Sequence, residues 1–427
     1  MDIGVIGSYG GASIGDEAIL NGLLLALNEV CDDNNLSIRI FTSNVGNTSS
    51  AVDFKNLGSK IGVINWTTGE DDLEKTQITT SENLAVKKKF GRNLYDFILK
   101  KFPSGSLFLE KYYRRISGKY IIKPGLFENI DTLIFGGGQI LMDLFPKWIL
   151  ILNELINEAR KYKVKVYFMG VGAGPIDYFY SKKIIERIVS EYYVSTRDEN
   201  SASLLEKMYN KKIFINTDLA FGLFQEKKEI MEREAVGVSV IPYHSRYIRN
   251  IANRNENSYE NYKINTAKIF DNFIDKSKEH LIFFATNFPT DIKAAKEIIS
   301  LMNNKTKASI INDRLSVDQL LDICRSRQFI IGTRLHSLIL SSCAGTDYYA
   351  LNYQPKVNAF LEKIDKKDDY IDINKLCQRE LTSEEIEKIS ENIYQVYLDR
   401  NGSKISSFAK KEKHKLLEEL RQLIYLS

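Results

Sequence analysis

With 427 residues, 44% of them hydrophobic and 27% charged, the chain has an ordinary globular composition and is too long for a single hydrophobic core, so two domains are the default. Seven prolines and no low-complexity tract argue against long disordered segments. Four cysteines with no CxxC pair, and only four histidines, argue against a disulfide frame and a zinc site. The net charge of +4 hides an uneven distribution, because residues 87–123 carry eleven Lys and Arg against Asp96 and Glu110, a local +9.

The first seven residues lack the basic start and long apolar core of a signal peptide and read as a strand over 2–7. A helix follows over 16–30, with apolar residues at 19, 20, 23, 24 and 27, and then a strand over 36–42. The segment 87–124 reads as a basic helical insert with interleaved aromatics, among them Phe90, Tyr95, Phe102 and Tyr112. That mix suits an anionic membrane surface, with vesicle binding that rises with anionic lipid and falls with salt; nucleic acid has no supporting motif. The plainer reading is a hairpin whose aromatics pack and whose lysines are solvated. Strands at 131–135, 164–169, 192–195 and 213–215 alternate with helices near 148–162, 182–189 and 201–209. A charged break at 225–234 closes a first domain, expected to span 1–225.

The second half restarts with a strand at 235–241. Helices over 259–276, 291–301 and 316–324 alternate with strands over 281–285, 308–311, 329–331 and 348–352, and Ser316 and Gln319 fit a capping box. This expected domain covers 235–380, and a charged helical tail covers 381–427. Apolar runs alternating with helical patterns are the signature of parallel α/β sheets, here two doubly wound domains whose ligands bind beyond the strand C-termini. No segment is long enough to span a bilayer.

Chemistry concentrates at the ends of those strands. After the strand at 329–331, Gly332 and Thr333 lead into a helix whose first turn carries Arg334 and His336. A helix N-terminus favours anions, Arg334 adds a permanently charged fork, and His336 adds a side chain that titrates near neutrality. The plainer reading is an arginine on a helix face and a packed histidine. Gly7, Gly10, Gly11 and Gly15 let the first turn approach a ligand, although the stretch is neither a Walker loop nor a clean GxGxxG. Asp16 is either the N-cap of the following helix or, with Glu17, a general base or sugar-hydroxyl acceptor. Gly136, Gly137 and Gly138 offer a backbone nest or simply tight packing, and Gly172 lies in a similar run. Arg197 follows a strand and either reaches a ligand or pairs with Asp198; His244 and Arg246 stand at another strand end as candidate ligand contacts.

In order and spacing these pieces resemble the polysaccharide pyruvyl transferase family over most of residues 1–360. The resemblance rests on Gly15-Asp16-Glu17-Ala18, Gly136-Gly137-Gly138, Gly170-Val171-Gly172, Ser195-x-Arg197-Asp198, Thr217-Asp218-Leu219-Ala220 and Gly332-Thr333-Arg334-Leu335-His336. Ser13 stands where many members carry Asn, and the 87–123 insert is unlike the compact members. The resemblance implies two Rossmann-like halves in a GT-B-like fold. It also implies transfer of pyruvate from phosphoenolpyruvate onto two hydroxyls of one sugar as a ketal, in surface polysaccharide synthesis.

Under that reading Arg334 and Arg197 meet the donor's phosphate and carboxylate, His336 protonates its methylene carbon, and Asp16 or Glu17 serves the hydroxyls. No metal or cofactor is implied beyond the donor substrate. The acceptor sugar is nucleotide-linked, lipid-linked or polymeric, and the protein is expected in the cytoplasm, with the insert inclining it to the inner membrane face. A GT-B glycosyltransferase using a nucleotide sugar, and a non-catalytic glycan- or lipid-carrier-binding protein of the same fold, remain the alternatives.

Overall fold

The computed structural model describes residues 1–31, 36–52, 57, 60–67, 122–226, 233–242 and 257–425. The 87–124 insert lies outside the described residues except at its last positions, as do His244 and Arg246. The chain divides into two compact units, Met1–Gly11 with Cys31–Asp218, and Ala12–Val30 with Leu219–Ser427.

In chain order the first stretch gives β1 (Asp2–Ile6), α1 (Ile14–Val30), β2 (Ser37–Thr42), α2 (Val45–Ala51) and β3 (Lys60–Asn65). It continues with β4 (Thr132–Gly136), β5 (Gln139–Leu141), α3 (Pro146–Lys161), β6 (Lys165–Ala173), α4 (Phe179–Glu191), β7 (Tyr193–Thr196), α5 (Glu199–Tyr209) and β8 (Phe214–Ile215). The first unit's sheet is parallel in the order β3-β2-β1-β4-β6-β7-β8, with β5 also paired to β6. Its strands read as apolar runs because helices cover both faces of a parallel sheet. Ile3, Val5 and Ile6 stand in register with Ile38, Ile40 and Phe41 of β2, and Phe135 stacks on Phe168 at 4.6 Å between ring centroids. The Asp198 carboxylate caps α5 by accepting from the Ser201 N–H at 2.8 Å.

The second unit contains β9 (Val236–Ser239), α6 (Ser258–Ser277), β10 (Leu281–Phe283), α7 (Thr290–Leu301), β11 (Ala308–Ile310), α8 (Val317–Ser326), β12 (Phe329–Gly332) and α9 (Leu335–Cys343). It then runs through β13 (Tyr348–Asn352), α10 (Pro355–Lys363), β14 (Tyr370–Asp372), α11 (Ile373–Gln378), α12 (Ser383–Leu398) and α13 (Gly402–Tyr425). The strand order is β11-β10-β9-β12-β13-β14, all parallel, which is the Rossmann arrangement with its reversal between β9 and β12. The capping box at Ser316 and Gln319 is present at the start of α8.

Several expectations are corrected. The first helix begins at Ile14, so Asp16 lies inside its first turn instead of capping it. That helix also belongs to the second unit and not to the first domain, and the division between units falls at 218/219 instead of 225–235. The cause is a close approach: a Cβ on Gly22 would overlap the Leu219 carbonyl, and one on Gly222 would overlap Gly22. Only glycine at both positions lets α1 rest on the short 3-10 helix Leu219–Leu223. The helical tail is part of the second unit. On α6, the Asn265 amide donates to the Leu376 and Arg379 carbonyls at 2.9 and 2.8 Å, and Lys276 pairs with Glu387 and Glu391 of α12 at 2.7 Å. On α1, Glu29 pairs with Lys413 of α13 at 2.7 Å. β6 runs through Gly170 and Gly172 to Ala173 instead of ending at 169. No disulfide joins the four cysteines. Among the described residues no helix is long and apolar enough to cross a membrane.

Candidate functional site

The reversal point of the second sheet carries Thr333, Arg334 and His336. Thr333 is fully buried, and both its N–H and its hydroxyl donate to the Ser239 carbonyl, at 3.0 and 2.8 Å. Its N–H and hydroxyl therefore tie the end of β12 to the end of β9. Arg334 is the extended residue just before α9, at φ −82° and ψ 141°, instead of a member of the first turn. Its Nε and Nη2 donate to Asp291 Oδ2 and Oδ1 at 3.0 and 2.8 Å, a bidentate pair that fixes the guanidinium plane. The Asp291 side chain is 0% exposed against 15% for Arg334. Asp291 also accepts from the Asn287 N–H at 2.8 Å and the Thr286 N–H at 3.2 Å, so the start of α7 orients it.

His336, half-buried, sits at the second position of α9 against Gly15, where any Cβ would overlap its Nδ1. Gly15 is thus explained by the passage of α1 under the imidazole. The first turn of α1 is held there by the Ile14 N–H donating to the Thr286 carbonyl at 2.9 Å and by a bridge between Ser13 and Asn287. Glu17 is 3% exposed and accepts from Arg314 Nη2 at 2.6 Å. Burial pushes its carboxyl above the usual glutamate range; Arg314 opposes that shift and Asp16 adds to it. Asp16 is half-buried, the more accessible of the two carboxylates.

The first unit holds the remaining candidates at its own reversal, between β1 and β4. Gly10 is left-handed, at φ +78°, and a Cβ there would stand 2.6 Å from Thr48 Oγ1, so the close passage of α2 accounts for it. The Tyr9 hydroxyl donates to the Gly136 carbonyl at 3.1 Å. Gly11, half-buried, is the last residue of this stretch in the unit. Gly137 and Gly138 are left-handed, at φ 63° and 71°. The Gly137 N–H donates to the Met169 carbonyl at 2.9 Å, and the Gly172 N–H donates to the Gly138 carbonyl at 2.7 Å. The expected nest therefore spends those donors on the sheet. Arg197 is buried, and its Nη1 donates to Asp218 Oδ2 at 2.8 Å. The pair with Asp198 is present but long, Nε to Oδ2 at 3.9 Å, and buried on the Arg197 side, while Asp198 also caps α5; the shorter bond is the internal one to Asp218. The Arg197 Nη2 would lie 3.4 Å from a Cβ on Gly172.

The structure therefore sorts the candidates into two sets. The second unit gathers Gly15, Asp16, Glu17, Thr333, Arg334 and His336, and the first gathers Gly10, Gly11, Gly136, Gly137, Gly138, Gly172 and Arg197. Sequence reasoning missed Asp291, Arg314 and Asp218. Asp291 and Arg314 carried no signal beyond their charge, Asp218 appeared only as part of Thr217-Asp218-Leu219-Ala220, and their partners lie 43, 297 and 21 residues away. Among the described residues no cluster of His, Cys, Asp and Glu could hold a metal ion. The second-unit set combines an oriented guanidinium, an imidazole and two carboxylates in different environments, a grouping suited to binding an anion and moving protons.

A family model described as polysaccharide pyruvyl transferase matches residues 14–355. No curated protein matches the sequence. Among solved structures, an assigned UDP-N-acetylglucosamine 2-epimerase from Listeria monocytogenes is similar at a TM-score of 0.54 and 10% identity, covering 100% of this chain and 98% of that one. The UDP-GlcNAc 2-epimerase of Neisseria meningitidis, bound to UDP-GlcNAc, gives 0.52 and 10% over 98% and 100%. Anabaena Alr3699/HepE in complex with UDP-glucose gives 0.51 and 9% over 99% and 98%. At such identities the likeness is one of fold, GT-B-like with two Rossmann-like halves.

Proposed function

The chain belongs to the polysaccharide pyruvyl transferase family, and from that premise we propose that it transfers pyruvate from phosphoenolpyruvate onto two hydroxyls of one sugar, releasing phosphate. The observation that carries this reading is Arg334, held in a bidentate pair by the buried Asp291, beside His336 and the acidic first turn of α1. Phosphoenolpyruvate presents a carboxylate and a phosphate, and a guanidinium of fixed plane is the side chain suited to such planar, bidentate groups. His336, as imidazolium, donates a proton to the methylene carbon, leaving cationic character on the adjacent carbon. One sugar hydroxyl adds to that carbon, and its proton passes to Asp16, half-buried where Glu17 is buried and so the more reachable base. The C–O bond to phosphate breaks, and the second hydroxyl closes the ketal. Asp16 passes its proton to the departing phosphate, and the proton of the second hydroxyl returns to the imidazole, so both residues regain their starting protonation.

The acceptor to test first is a nucleotide-linked hexose, because two of the fold neighbours are described as complexes with UDP-sugars. Phosphate release from phosphoenolpyruvate is followed across UDP-hexoses and lipid-linked sugars, with product mass read in parallel. The expected result is acceptor-dependent release with a pyruvyl mass gain, lowered about 10²–10⁴-fold by His336→Ala. Release of UDP with a glycosyl mass gain would replace this reading with a nucleotide-sugar glycosyltransferase.

A further inference from the structure

The second unit has a hollow at the opposite ends of its strands from the site above. It has a volume of about 390 Å³ and is lined by Arg233, Gln328, Asp347, Arg400 and Gly402. Gln328 immediately precedes β12, Asp347 precedes β13, and Gly402 opens α13. The hollow therefore lies at the N-terminal edge of the sheet, where the reaction proposed above has no use for it.

Its charge is unbalanced. Arg233 donates through Nη1 and Nη2 to the Gly345 and Ala344 carbonyls at 2.9 and 3.3 Å, just past the end of α9. Arg400 donates to the Tyr397 carbonyl at 2.7 Å and to Gln328 Oε1 at 3.1 Å, and lies 4.3 Å over the Tyr397 ring. All of these acceptors are uncharged, and among the described residues neither guanidinium has a carboxylate partner. The one acid in the lining, Asp347, pairs with Lys366 at 2.8 Å, a lysine it shares with Asp369, and its other oxygen accepts from the Asn401 N–H at 2.7 Å. Burial pulls the Arg233 guanidinium below its usual pKa, the mark of a cation that has lost solvation. Two arginines therefore face one polar hollow whose single carboxylate, Asp347, is hydrogen-bonded to other groups and to neither guanidinium. Each uses two of its five N–H donors in the bonds just named.

We propose that this hollow is a second ligand site, one that takes a small oxyanion: a phosphoryl or carboxylate group carried by a metabolite. Guanidinium forks match both groups. The site stands independently of the pyruvyl transfer reading, because none of its residues belongs to the Arg334 and His336 set.

The test is calorimetric titration of the full chain with inorganic phosphate at constant ionic strength. It is made in the Arg334→Gln background so that the first site does not contribute, with phosphoenolpyruvate and citrate as further probes. Saturable phosphate binding is expected there, and a second change, Arg400→Gln, should weaken it at least tenfold while leaving the melting temperature within a few degrees, because Arg400 is exposed. Citrate binding without phosphate binding would assign the site to carboxylates and support the same proposal. No saturable binding of any of the three, or binding that Arg400→Gln leaves unchanged, would overturn it. Arg233→Gln is the less informative variant, since Arg233 also caps the carbonyls at the end of α9.

Discussion

Arg334 illustrates how much a single functional side chain depends on a residue the reaction never touches. Asp291 accepts two of its N–H groups and is itself held by the backbone of Thr286 and Asn287. Asp291→Asn should lower kcat/KM for phosphoenolpyruvate about 10²-fold, the cost of a guanidinium displaced by the order of 1 Å. It should also cost about 3 kcal/mol of stability, the lower end of the range for breaking a buried pair, because Arg334 keeps 15% of its side chain in solvent. Steady-state kinetics with denaturant unfolding read both, and an unchanged KM would show that Asp291 only stabilises the fold. Glu17 makes a different prediction. Its folded-state pKa is raised by burial, so the stability it contributes is full below the unfolded value of about 4.3 and is lost as pH rises through the folded value. Denaturant unfolding between pH 4 and 8 should therefore show wild type losing ground to Glu17→Gln as pH rises, with the difference levelling off at the acid end. A gap that stays constant over that range would rule out burial of the charge as the cause.

At the scale of elements, α1 is placed against α9 with no room to spare. Gly15→Ala should push the imidazole of His336 aside, at an overpacking cost of about 1–3 kcal/mol. Because the displaced ring is the proposed proton donor, the larger effect should fall on catalysis: kcat down tenfold or more, with a modest drop in melting temperature. A variant with normal kcat would mean that the ring position is not critical. The strands were the most legible elements in the sequence, because strands buried on both faces read as apolar runs: β13, over Tyr348–Asn352, falls where its composition puts it. The short β5 and the half-exposed β3 escaped, having neither a continuous apolar run nor a turn signal that marks them. The start of α1 was placed two residues late because Ile14 and Gly15 are weak helix formers, kept helical here by packing. The glycine-rich turns were legible as places of close backbone approach, but what approaches them was not. The neighbours are Thr48, Met169 and His336, distant in sequence, and the approach they demand resembles the approach of a ligand.

For the molecule as a whole, the consequential fact is that residues 12–30 belong with residues 219–427. The chain leaves the first unit after a single strand, lays one helix on the second, and returns. No composition shift marks that excursion, because α1 is as apolar as any helix that packs on its own sheet. Ile19, Leu20, Leu23, Leu24 and Leu27 are each at most 1% exposed. At about 1.5–3 kcal/mol for each such side chain, their burial is comparable to the whole net stability of a domain, about 5–15 kcal/mol. A fragment of residues 219–427 alone should therefore expose the surface around Gly222, bind a hydrophobic dye and unfold without a cooperative transition. The same fragment preceded by residues 12–30 through a flexible linker should unfold cooperatively, since the helix restores both its apolar face and the pairing of Glu29 with Lys413. Placing Gly22→Val in the linked form should return it to the behaviour of the bare fragment, because the branched side chain cannot occupy the space where α1 meets Leu219. Cooperative melting of the bare fragment at the temperature of the linked one would show that α1 is an appendage of the second unit and not part of its core.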